Sequence, residues 1–469
     1  MPGFSGQLPS RTFSGYVTVG QEASRHLFYL WMESQLGLED SPVVLWLSGG
    51  PGCSGLDAYF YEHGPFLFSE ADSGSSSMSD SGKAAKDIVA SANPYSWSTI
   101  ATMIYVDSPA GTGFSYSTNP TVDYHTNDQV TTNDLVDLVD GLFQRYPQLS
   151  ERDFYISGES YGGVYVPMLT RKLLERKVAP KLKGYLIGNG VGDDVIDGNA
   201  QMEFAHAKDI IDTPTFRSLQ RACNSMFWNA STGSRCSDII EDVTADLWRL
   251  NWSVWQKRGV ALELRQQGQQ QQRQILAATR EASSLSNLHP RLQHVVPCAD
   301  RRLAMLYFNS PAVREALGVV PQGPPRWEPC SDVLNLQAGH CSHAALAPGP
   351  AGHGHPDDSA ATQTRRDRLN AGGFGWVGHT SPWMQALLYS GDHDMVVPFT
   401  GTRKWVDAMG LKQLQPYKPW FIDHQIVGFQ TRYQPNLFLA TVKGAGHMAP
   451  TTHPAQTLEL ITRFINSEM

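Results

Sequence analysis

Long apolar runs are missing from this 469-residue chain. No stretch reaches the roughly 18 apolar residues that a membrane-spanning helix needs, so none is expected. The opening stretch "MPGFSGQLPSRTFSGY" carries no basic-then-apolar leader. Positive charge is also in short supply. The 37 Lys and Arg face 45 Asp and Glu, a net charge of −8, which speaks against a nucleic-acid or anionic-membrane partner. Cysteine is scarce and scattered: six residues run from Cys53 to Cys341, with no CxxC pair and no regular Cys/His spacing. A zinc site is therefore not expected, and no cofactor is implied. Spacing alone does not choose among the disulfide connectivities.

Apolar residues make up 41% of the chain, with 12 Trp, 17 Tyr and 19 Phe, which is ample for a large core. Several short runs are apolar on both faces and end in loops, as buried parallel strands do: Val43–Leu47, Met103–Val106, Phe154–Ile156, Tyr185–Ile187, Ala386–Tyr389 and Leu437–Val442. Thr131 to Tyr146 places Leu135, Leu138, Val139 and Leu142 on one helical face, and a second helix is expected from Gly162 to Leu174. Strands alternating with helices predict an α/β fold around a mainly parallel sheet. Residues 192–302 break the alternation. They read as a helical insertion carrying the sequons at Asn229 and Asn251 and the Gln-rich "RQQGQQQQRQ", with core segments at 1–191 and 303–469. The Gln-rich segment, 256–290, is a candidate for proteolytic nicking. A Ser-rich stretch (69–86) and an Ala, Gly, Pro and His stretch (337–372) read as loops.

The segment "FYISGESYGGVYVP" holds G-E-S-Y-G between a strand and a helix, the context a nucleophile elbow requires. The elbow pushes Ser160 above the sheet at a helix N-terminus, where developing negative charge is favoured. A serine needs a base, and in such folds the partners follow in the order acid, then His. "LLYSGDHDMVVP" offers Asp392 and Asp394 after a strand, and "LATVKGAGHMAP" offers His447 after the last strand. His447 would take the Ser160 proton while the acid orients and stabilises the imidazole. Attack on a carbonyl also needs donors for the oxyanion. The N–H of Tyr161 is one, and the bare "SGGPG" turn after Val43–Leu47 can bring a second close. Each feature has a bland reading: a chance match, a His packing a turn, a tight turn. The three together, each at the end of a strand, favour the chemical one.

The blocks "WLSGGPGCSG", "EHGPF", "NPYSW", "VDSPAGTGFSYS", "GESYGG", "GNG", "SGDHDMVVP" and "GAGHMAP" resemble the serine carboxypeptidases. The likeness covers residues 1–230 and 298–469 and extends to the animal member cathepsin A. The C-terminal run "PWFIDHQIVGFQTRYQPNLFLATVKGAGHMAP" looks closer to the plant serine carboxypeptidase-like branch. The resemblance implies an α/β-hydrolase core with a helical cap. It implies Ser160 as nucleophile, His447 as base, Asp394 as acid in preference to Asp392, and Gly50 and Tyr161 as oxyanion donors. It implies Trp46, Ser48, Gly49, Glu62 and Glu159 as the site for a substrate's C-terminal carboxylate, and Asp57, Tyr61 and Met448 as the leaving-residue pocket. It pairs Cys53 with Cys330. Cys223 with Cys236 and Cys298 with Cys341 are candidate pairings for the rest, which the resemblance leaves open.

Two close carboxyls cannot both ionise cheaply, so Glu62 and Glu159 would keep a proton in acid and donate it to a substrate carboxylate. Activity is therefore expected to favour acid pH. Ser48 departs from the family, where an Asn stands, and a hydroxyl offers one donor where an amide offers two. Some acyltransferases of the family have a small hydroxyl residue there. Three readings follow: a carboxypeptidase acting on peptides with a free C-terminus, an acyltransferase using a sugar ester, and a non-catalytic partner that stabilises other hydrolases. A pure scaffold would not need an intact serine, acid and histidine. The resemblance further implies a lysosomal, vacuolar or secreted protein and leaves room for a homodimer.

Overall fold

Strands that are buried on both faces cannot alternate apolar with polar, and this chain's central strands do not. In the strand Val43–Leu47 every residue is buried: Val43, Leu45 and Leu47 face one apolar cluster, Val44 and Trp46 the other. The computed structural model describes residues 1–39, 41–70, 88–228, 230–231, 233–248, 301–337 and 384–469. Its main sheet contains β1 (Thr12–Val19), β2 (Arg25–Met32), β3 (Val43–Leu47), β4 (Thr102–Val106), β5 (Phe154–Glu159), β6 (Leu182–Gly188), β7 (Gln385–Gly391), β8 (Lys418–Ile422), β9 (Gln425–Tyr433) and β10 (Leu437–Val442). Their spatial order is β1-β2-β4-β3-β5-β6-β7-β10-β9-β8, and the short strand Tyr116–Ser117 pairs with β2.

The six central strands, β4 to β10 in that order, are parallel. They are the six apolar runs expected from sequence. The flanks are antiparallel, β1 and β2 on one side and β9 and β8 on the other. Those strands are joined by short hairpins without a crossover helix.

Helices cover both faces. On one side lie α2 (Asp128–Arg145) and α3 (Gly162–Arg176), which contribute Leu135, Leu138, Val139 and Leu142, then Leu169 and Leu173. Asn127 caps α2 by accepting from the N–H groups of Gln129 and Val130. The other face packs α1 (Gly55–Tyr61), a helix at Arg301–Phe308 and the helix Pro454–Ile465.

The stretch after β6 is helical where described: α4 (Asp194–Ala207), α5 (Thr213–Cys223) and α6 (Arg235–Trp248). They share a small apolar cluster around Phe204, Leu219 and Phe227, and the Cys223–Cys236 disulfide ties α5 to α6. The expectations for Asn229, Asn251, Cys298, Cys341, the 256–290 segment and most of the Ser-rich and His-bearing loops lie outside the described residues. No helix among the described residues is long and apolar enough to cross a membrane.

Candidate active site

The C-terminal ends of the parallel strands meet at one edge of the sheet, with Glu159 of β5 beside Gly188 of β6 and Gly188 beside Tyr389 of β7. Every expected reactive side chain comes from a loop at this edge. Between β5 and α3 the chain turns within two residues. Ser160 takes a left-handed φ of +59°, a conformation non-glycine residues rarely hold. Three backbone hydrogen bonds hold it there. The Ser160 N–H donates to Gly188 O (3.1 Å), and Ser160 O accepts from Gly163 N (2.9 Å) and Val191 N (3.0 Å).

The "SGGPG" turn lies directly against this elbow. A Cβ on Gly49 would sit 2.6 Å from both Ser160 Cβ and Tyr161 N. Any side chain there would push the turn off the serine, and Gly50 follows at φ +109°. The Cys53–Cys330 disulfide joins the end of the turn to a segment 277 residues away. Backbone bonds reinforce it on either side, Ser54 N to Pro329 O at 2.8 Å and Ser331 N to Gly52 O at 2.9 Å. The Tyr161 hydroxyl donates to both carboxylate oxygens of the buried Asp128, 3.2 Å each.

Of the two aspartates after β7, only Asp394 meets His447. The His447 Nδ1 lies 2.8 Å from Asp394 Oδ2. Asp394 is fully buried and also accepts from Val396 N (2.7 Å), Val397 N (3.1 Å) and the side-chain amide of Asn189 (2.7 Å). Asp392 turns the other way, bonding His393 Nδ1 (2.8 Å) and Gly444 N (2.6 Å). An imidazole whose Nδ1 faces a carboxylate gives its proton to that contact, which leaves Nε2 as the acceptor.

Beneath the elbow, Glu62 from the end of α1 and Glu159 at the end of β5 are hydrogen-bonded to each other and buried. A hydrogen bond between two carboxyls requires a proton. Burial, aided by the charge of Asp57 and partly offset by the bond from Glu159, pushes Glu62 up to about 8. Burial first, then the charge of Glu62, holds Glu159 well above the ordinary carboxylate range. Trp46 is fully buried, edge-on to His63 and Trp97, and its indole N–H donates to Ser48 Oγ at 3.1 Å. The Ser48 hydroxyl thus accepts from one side and has its O–H to direct elsewhere.

In the expected leaving-residue pocket, Asp57 and Tyr61 both lie on α1, and Met448 directly follows His447. The Tyr61 hydroxyl accepts from Ala304 N at 3.1 Å, so its polar end is tied to the helix Arg301–Phe308. Asn189, inside the "GNG" block, is the site residue that carried no expected role. Its signal was a non-glycine between two glycines at a strand end.

A family profile described as "Serine carboxypeptidase" matches residues 2–348 and 379–467. Serine carboxypeptidase-like 20 of Arabidopsis thaliana is 34% identical over 99% of this chain and 92% of its own length. Serine carboxypeptidase 1 of Hordeum vulgare is 34% identical over 99% of this chain and 91% of its own. The lysosomal protective protein of Mus musculus is 29% identical over 100% and 93%. Among solved structures, a prohormone-processing carboxypeptidase from Saccharomyces cerevisiae superimposes with a TM-score of 0.66 at 19% identity, over 98% of this chain and 92% of that one. The fold is that of the α/β hydrolases.

Proposed function

The chain belongs to the serine carboxypeptidase family, and from that premise we propose that it removes C-terminal residues from peptides at acid pH through an acyl-enzyme on Ser160. In this reading Ser160 Oγ attacks the last peptide carbonyl as its proton passes to His447 Nε2. The oxyanion meets the N–H groups of Gly50 and Tyr161. His447 then gives the proton to the leaving amine, and the C–N bond breaks. Water, deprotonated by the same imidazole, attacks the acyl-serine and releases the shortened peptide.

The observation that carries the proposal is the buried, hydrogen-bonded Glu62–Glu159 pair beside the elbow. Below a pH of about 8 each carboxyl of the pair holds a proton, one used in the bond between them and one left to donate to a peptide's terminal carboxylate. Trp46, Ser48 and Gly49 complete that subsite. Asp57, Tyr61 and Met448 border the residue that leaves, and the Asp57 carboxylate suits a basic one. The helices α4 to α6, the described part of the 192–302 insertion, would form a cap on the core built from the described residues of 1–191 and 303–469. The two disulfides support a lysosomal, vacuolar or secreted setting.

Ser48 favours a second reading, transfer of an acyl group from a sugar ester to an alcohol with the same serine, acid and histidine. Its single O–H offers a terminal carboxylate less than an amide would. Wild type and Ser160→Ala would each be given a blocked dipeptide, its C-terminal amide, and a glucose ester with an alcohol, at about pH 5. Release of the last residue from the free acid alone, lost in Ser160→Ala, is the expected result. Ester product without peptide trimming would replace the first reading with the second.

A further inference from the structure

β6 lies between the nucleophile strand β5 and the acid strand β7, and Asn189 is the first residue beyond its end. It is fully buried and sits at φ +45°. Its backbone N–H donates to Tyr389 O at 2.8 Å. The side-chain Oδ1 accepts from Gly391 N at 3.2 Å, and Nδ2 donates to Asp394 Oδ2 at 2.7 Å. A backbone N–H on one side and a carboxylate on the other leave only one orientation for the amide. The residues around it hold the serine: Gly188 O accepts from Ser160 N, and Val191 N donates to Ser160 O. One turn of four residues therefore grips both the elbow and the acid.

We propose that Asn189 is a positioning residue for the reaction: its amide aims the Asp394 carboxylate at His447 and locks that carboxylate in register with Ser160. Besides the His447 imidazole that it orients, Asp394 accepts from Val396 N and Val397 N, which belong to its own loop and move with it. Asn189, unlike those two amides, comes from outside that loop, and it reaches the same oxygen that faces His447 Nδ1. The left-handed backbone suits Asn, Asp and Gly, so the side chain can be tested without straining the turn.

This inference rests on Ser160, Asp394 and His447 acting as proposed above, and the test separates the two. The full chain would be made as wild type, Asn189→Gly, Asn189→Asp and Ser160→Ala, and kcat and KM measured on a blocked dipeptide. Asn189→Gly is expected to lower kcat by about 10- to 100-fold with KM nearly unchanged, the size of loss a misplacement of about 1 Å brings. Asn189→Asp keeps an acceptor for Gly391 N but sets an oxygen against Asp394, so near neutral pH it should be slower than Asn189→Gly. Among the described residues, the ionisable group against that position is Asp394, which in turn bonds His447 and whose charge acts on Glu159 at the end of β5. As pH falls, the carboxylate introduced by Asn189→Asp takes up a proton and can donate again. The deficit of Asn189→Asp relative to Asn189→Gly should then shrink. A merely structural role predicts the opposite order, because Asp preserves more of the packing. Asn189→Gly within about twofold of wild type, or Asn189→Asp the faster of the two near neutral pH, would overturn the proposal. Hydrolysis surviving in Ser160→Ala would remove the underlying reading instead. Should Asn189→Asp fail to fold, the rate at which a fluorophosphonate labels Ser160 in Asn189→Gly decides, an unchanged rate counting against.

Discussion

Two sites of buried carboxyl groups stand at the same edge of the sheet and are built in opposite ways. Asp394 is surrounded by N–H groups, from Asn189, Val396, Val397 and His447, an arrangement that solvates a carboxylate as water would. Glu62 and Glu159 have each other, with Asp57 adding more negative charge. That arrangement favours a shared proton. Equal burial therefore gives unlike chemistry. In the proposed mechanism the donor-rich carboxylate serves the histidine, and the carboxyl pair serves the substrate's terminal carboxylate.

The largest expected effect comes from breaking the donor-rich side. Asp394→Asn should lower kcat by about 10,000-fold, because the imidazole loses the partner that sets its tautomer. Asp392→Asn, whose carboxylate bonds His393 and Gly444, should cost about tenfold at most. Steady-state kinetics on the two variants checks the contrast, and similar losses in both would undo the assignment of the acid.

Next is the proton-holding side. In the wild type kcat/KM for a peptide should fall as pH rises through about 8, where Glu62 gives up its proton. Glu62→Gln and Glu159→Gln keep a donor that does not titrate, so the alkaline fall should flatten. A pH profile of kcat/KM that keeps its wild-type shape in both variants would show that the pair does not govern binding.

The same titration sets a smaller effect on stability. Glu62 titrates near ~4.3 in an unfolded chain and at about 8 in the fold, so the folded state holds the extra proton between those limits. Its contribution is complete below the lower value and is lost as pH rises through the upper one. Asp107 and Asp197, pushed by burial to about 6 and about 7, act in the same direction. Melting temperature should thus fall between pH 5 and pH 8 by about 5 °C, and by less in Glu62→Gln. Thermal melts at a series of pH values read this directly. The mildest change is Ser48→Asn, which adds a donor to the carboxylate subsite. It should lower KM for peptides by about 3- to 10-fold and leave KM for the sugar ester untouched.

Much of the centre was legible because its signals are local. The six parallel strands are continuous apolar runs, and the strand-elbow-helix order of "FYISGESYGGVYVP" needs no distant partner to be read. The flanking antiparallel strands carry no such continuous signal. β9, for example, buries the polar Thr431 and exposes the apolar Ile426 and Phe429, so no clean alternation marks it. The choice between Asp392 and Asp394 was open in sequence, since both stand in "GDHD". The resemblance favoured Asp394, and the direction of the turn decides which of them reaches His447. Asn189 went unassigned because its partner lies 205 residues along the chain.

What the sequence determined alone is the inventory and its order: an apolar strand before each reactive loop, glycines where the backbone must come close, and a serine, an acid and a histidine in that succession. The tertiary structure decided which groups meet. Hydrogen bonds act over about 3 Å, and no local pattern records that two loops far apart in the chain will end at one sheet edge. Only the parallel register, by setting Glu159 beside Gly188 and Gly188 beside Tyr389, brings Asn189 to Asp394 and gives Glu62 its partner.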